Sequence, residues 1–89
     1  MTTKELTITN DIGLHARCAS SFIQCANKFK SSLWVQRGER RINAKSLLGV
    51  LSLGIIPGTS FEIIADGIDE DKAINALESL ILSNFAENV

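Results

Sequence analysis

Along this chain the apolar residues switch repeatedly between a spacing of two and a spacing near 3.6. Leu6 and Ile8 alternate with Thr7 and Thr9, which predicts a short strand before an Asn10-Asp11-Ile12-Gly13 loop. From about residue 16 to about 28, Ala19, Phe22, Ile23, Ala26 and Phe29 recur at helical spacing, the stripe of an amphipathic helix on a core. Leu33-Trp34-Val35-Gln36-Arg37 reads as a strand, turned by Gly38-Glu39 into a shorter one at Arg40-Arg41-Ile42-Asn43. Ser46 then precedes a brief helix, Leu47-Leu48-Gly49-Val50-Leu51-Ser52-Leu53, ending near Gly54. Ile55-Ile56-Pro57-Gly58-Thr59 is a turn, and Phe61, Ile63 and Ala65 alternate with Glu62, Ile64 and Asp66 in a fourth strand. Asp69 is placed to cap a last helix with Ala73, Ile74, Leu77, Leu80 and Ile81 on its inner stripe.

The predicted order is β-α-β-β-α-β-α in one domain spanning 1–89, without repeat, linker or low-complexity stretch. A chain of this length fills one core and not two, so all three helices must cover one face of the sheet. The expected architecture is an α+β open-faced β-sandwich, a four-stranded antiparallel sheet with its other face turned to water. Trp34 alternates with the inward Leu33 and Val35 and is expected on that open face.

Composition narrows the function classes. Apolar residues are 45% and charged residues 21%, with a net charge of −1. A nucleic-acid footprint would show clustered basic charge, whereas Glu39 interrupts Arg37, Arg40 and Arg41; these are read as a solvated hairpin. An RNA-binding module would also need stacking aromatics, and the chain has four Phe, one Trp and no Tyr. No apolar run reaches the ~20 residues of a membrane span, and Met1-Thr2-Thr3-Lys4-Glu5 carries no apolar leader. Cys18 and Cys25 share a helix face roughly 10 Å apart, too far for a disulfide. Reduced thiols without an export signal point to the cytoplasm.

The candidate chemistry centres on the single histidine, in Asp11-Ile12-Gly13-Leu14-His15-Ala16-Arg17-Cys18-Ala19. His15 stands where an extended segment gives way to a helix. A helix start offers unpaired N–H groups and the positive end of the macrodipole, so the amides of Ala16 and Arg17 suit a phosphate. Arg17 adds charge-assisted hydrogen bonds. The same field disfavours imidazolium and leaves a lone pair for attack. A nucleophile beside an anion site suggests a histidine that accepts and passes on a phosphoryl group. Taken from spacing alone, a lone histidine at a helix start is more often a surface residue without chemistry.

Gly13-Leu14-His15-Ala16-Arg17 resembles the active-site signature of the HPr family, the histidine-containing phosphocarriers of the bacterial sugar phosphotransferase system. Asn43-Ala44-Lys45-Ser46-Leu47-Leu48-Gly49-Val50-Leu51-Ser52-Leu53-Gly54 resembles its second signature, around a regulatory serine. The likeness covers essentially the whole chain. It implies that His15 carries the phosphoryl group on Nδ1, received from phosphorylated enzyme I and handed to a sugar-specific enzyme IIA. Arg17 would steady the phosphate. Ser46 would be the target of an HPr kinase/phosphorylase, its phosphate slowing transfer and recruiting a catabolite-repression regulator. Ala16, Ser20, Leu47, Leu48 and Leu51 would form the surface where partners dock in turn. The resemblance implies a monomeric carrier that is not itself an enzyme, without cofactor, metal, nucleic acid or membrane insertion. A second reading is a paralogue serving a nitrogen-related or purely regulatory phosphotransfer chain.

One position departs from the pattern. The family usually has proline after the arginine, and here Cys18 stands in its place. Proline is pre-organised for a helix's first turn. A thiol there gives up some rigidity and is expected to be open to oxidation or alkylation. His15 and Cys18 together are too few ligands for a structural zinc. Cys25 is expected to be a small buried apolar residue.

Overall fold

The computed structural model describes residues 1–8, 16–55 and 58–83. Its elements are β1 (Thr2–Thr7), α1 (Ala16–Ala26), β2 (Ser32–Arg37), β3 (Arg40–Asn43), α2 (Leu47–Ser52), β4 (Ser60–Asp66) and α3 (Glu70–Leu82). The strands form one antiparallel sheet in the order β1-β4-β2-β3. The expected loop at 10–13 and residues 56 and 57 of the 55–59 turn lie outside the described residues.

Alternation decides which face of the sheet is covered. Leu6 on β1, Leu33 and Val35 on β2, and Phe61, Ile63 and Ala65 on β4 are all buried. The helices close over them with the same stripe twice: Cys18, Ala19, Phe22, Cys25 and Ala26 on α1, and Ala73, Ile74, Leu77, Leu80 and Ile81 on α3. Both follow i, i+1, i+4, i+7, i+8, the inner face of a 3.6-residue period. Ile23 and Phe29, expected on the α1 stripe, are only partly buried. α1 ends at Ala26 and not near 28, because the amides of Lys28 and Phe29 turn back to the carbonyls of Cys25 and Ala26 in a tighter winding.

On the open face, Thr3, Ile64, Trp34 and Asn43 lie in one row across the strands. Trp34 is half-buried there, as its alternation predicts, and Ile64 is buried between its in-register neighbours Thr3 and Trp34.

Two expectations are corrected by tertiary contacts. Asp69 occupies the N-cap position of α3, but its side chain makes no cap hydrogen bond. Its carboxylate instead accepts from the amides of Lys30 and Ser31, each at 2.9 Å, and from the Ser31 hydroxyl. That ties the loop before β2 to the start of α3. The arginines of the hairpin are exposed but not merely solvated. Arg37 donates to the carbonyls of Leu53 and Gly54 at 2.7 and 3.1 Å, and Arg40 to the Ser52 carbonyl at 2.8 Å and its hydroxyl at 3.1 Å. Guanidinium groups thus satisfy the last carbonyls of α2, where the negative end of the dipole favours cations.

Candidate functional site

α1 begins at Ala16, so the chain enters its first turn directly after position 15. His15 itself lies outside the described residues, as do Gly13 and Leu14. Arg17 is in that first turn and exposed, free of the core that claims its neighbour. No acidic residue stands in the first turn of α1 to offset the positive end of the helix. The backbone of Ala16 and Arg17 therefore sits where an anion is favoured.

Cys18 follows Arg17 on the inner side of the helix and is only 6% exposed. The thiol expected to be accessible near the helix start is instead packed among core residues, because the helical turn that points Arg17 outward points the next residue in. Cys25 is buried as expected, and both cysteines are thiols. Ser20, one turn beyond Ala16, is partly buried.

The second motif forms α2, which packs against α1 and β3. Ser46 is its N-cap: the backbone is extended there (φ −105°, ψ 116°), and the hydroxyl accepts from the Gly49 amide at 3.2 Å. This is the arrangement expected of a serine at an N-cap. A Cβ at Gly49 would come within 3.3 Å of the Ser46 hydroxyl and 3.4 Å of Ile42, so glycine allows both the cap and the approach to β3. Val50 is the buried residue of the helix and fixes its rotation. That rotation leaves Leu48 81% and Leu47 41% exposed, while Leu51 packs partly against the core. Two large apolar side chains are thus presented to solvent on a helix adjoining α1.

The groups with displaced titrations lie where β4 meets α3. The Ser31 hydroxyl and the amides of Lys30 and Ser31 hold the Asp69 carboxyl at about 2, from an ordinary 3.8. The Thr2 hydroxyl, the Gly67 amide and the chain's amino group hold Glu70 below its usual range. Pattern reading missed both, since each joins residues tens of positions apart. Among the described residues no helix is long and apolar enough to cross a membrane.

Residues 2–83 match the protein family described as the PTS HPr component phosphorylation site. The phosphocarrier protein HPr of Neisseria meningitidis serogroup A is 41% identical over 87 residues, covering 98% of each chain. HPr-C-His from Thermoanaerobacter tengcongensis has a solved structure similar to this one at a TM-score of 0.95, with 44% identity over 100% of both chains. Crh, the catabolite repression containing protein of Bacillus subtilis, solved as a domain-swapped dimer, is similar at a TM-score of 0.75 with 34% identity, covering 93% of this chain and 95% of its own.

Proposed function

We propose, since this chain belongs to the HPr family of phosphocarriers, that it accepts a phosphoryl group on His15 from phospho-enzyme I and passes it to a sugar-specific enzyme IIA. Family members are carriers acted on by other enzymes, and the whole of 1–89 is read as one such domain. The observation that carries the site assignment is the start of α1 directly after position 15, with Arg17 exposed in its first turn.

The proposed step is a transfer between partners. The Nδ1 lone pair of His15 attacks phosphorus, a P–N bond forms, and the bond from phosphorus to the donor breaks with its electron pair returning to the donor. Such a transition state needs positioning and charge neutralisation more than covalent machinery. The α1 amides at Ala16 and Arg17 and the Arg17 guanidinium supply both. An exposed site suits a histidine that must meet two partners in succession. Ala16, Ser20, Leu47, Leu48 and Leu51 form the proposed docking surface; the exposure of Leu47 and Leu48 supports it.

Ser46 is proposed as a regulatory phosphorylation site, read by a serine kinase and a catabolite-repression regulator. Its likeness to Crh supports that reading. A phosphate there adds about −1.5 to −2 charge beside the docking leucines. It would be tolerated at the start of α2 and would repel an acidic partner surface. We take the protein to be a cytoplasmic monomer.

The test is the intact mass after incubation with phosphoenolpyruvate and enzyme I. One acid-labile phosphoryl group, absent from His15→Ala, is expected. With folded protein and active enzyme I, no gain would rule the carrier role out in favour of a regulatory relative, with Ser46 as the site to test. Arg17→Ala is expected to slow transfer while leaving the fold intact.

A further inference from the structure

A concave site lies at the edge of the sheet where β2 begins and β3 ends. It holds about 310 Å³, and its lining includes Lys30, Ser31, Ser32, Trp34, Asn43 and Lys45. The volume falls at the small end of the range for sites that take small organic molecules, and a lone inorganic ion would leave most of it unfilled.

Hydrogen bonds fix part of its wall, while Lys30, Ser32 and Asn43 are exposed. Ser31 is 2% exposed and donates both its amide and its hydroxyl to Asp69. The Lys45 ammonium donates to the Phe29 carbonyl at 2.7 Å, and the Lys45 amide donates to Asn43 Oδ1 at 2.8 Å. Lys45 is thereby held in place with two of its three ammonium protons left to offer. Asn43 is the in-register neighbour of Trp34, so the amide and the indole share the open face.

Charge and shape select the occupant. Among the described residues, the titratable groups lining the cavity are Lys30 and Lys45, and no carboxylate lines it. The nearby Asp69 oxygens are taken by three donors from the loop. The two lysines therefore favour an anion. Trp34, also in the lining, carries a π-system of the kind on which a planar ring stacks without demanding a particular base, and Asn43 and Ser32 add hydrogen-bonding groups.

We infer that this cavity binds a small planar organic monophosphate, of the nucleoside monophosphate class, with the phosphate at Lys30 and Lys45 and the ring against Trp34. Transfer through His15 uses none of these residues, so the inference stands apart from the phosphocarrier reading.

The chain has one Trp and no Tyr, so its fluorescence reports this site alone. AMP is the probe, titrated to on the order of 10 mM, with adenosine and ribose 5-phosphate as its two halves. Saturable quenching by AMP is expected, with each half binding at least about tenfold more weakly. Lys30→Gln is expected to weaken AMP about tenfold and to leave the hairpin intact, since the Lys45 contacts remain. Amide shifts in labelled protein should fall on Ser31, Ser32, Asn43 and Lys45 and spare Leu47 and Leu48. Absence of saturation, adenosine binding as well as AMP, or shifts confined to α1 and α2 would each overturn the proposal.

Discussion

Single residues join parts of this fold that lie far apart in sequence, and Asp69 is the plainest case. Its carboxyl is held at about 2 against an ordinary 3.8. A depressed folded value means the contribution is fully present above the ordinary value and is lost as pH falls through the folded one. Urea midpoints should therefore fall between about pH 4 and about pH 2, and Asp69→Asn should lower the neutral-pH midpoint and flatten that slope. A Glu70→Gln control separates the part due to Glu70, whose titration is also depressed. Gly67 is constrained by the same loop: a Cβ there would come within 2.7 Å of the Ser31 Cα and 2.6 Å of its Oγ. Backbone yields less readily than a side-chain tip, so Gly67→Ala should cost about 1–3 kcal/mol in chemical denaturation.

At the scale of elements, α2 depends on its two ends. It has six residues, too few to persist in water without help. Ser46 caps its start, and Ser46→Ala should cost about 1 kcal/mol of global stability, read from urea midpoints. Its end is held by Arg37 and Arg40 from the hairpin. Replacing both by alanine should leave α1 and the central strands protected while the α2 amides exchange about tenfold faster, measured residue by residue in D2O. Because α2 carries Leu47 and Leu48 of the proposed docking surface, loosening it should also weaken binding of the proposed partner, enzyme I, without altering His15. An effect spread evenly over the molecule would argue against a local clamp.

The whole molecule is one layer of helices on one sheet, and its stability rests on the shared interior. Phe22 is fully buried among the residues of α1, α3 and the sheet. Phe22→Ala should cost about 3–5 kcal/mol in the same urea titration, enough to threaten a domain of this size. Sequence alone determined the element order, the inward strand positions, most of both helix stripes, the Ser46 cap and the family. It could do so because period, caps and short motifs are local, and local spacing survives without knowledge of the fold. Tertiary structure alone decided the order β1-β4-β2-β3, the turning of Cys18 into the core, the use of Asp69 by a distant loop and the clamping of α2 by Arg37 and Arg40. Each of these is a choice among partners that every local pattern permits. Only packing fixes which face turns inward and which distant donor finds which acceptor.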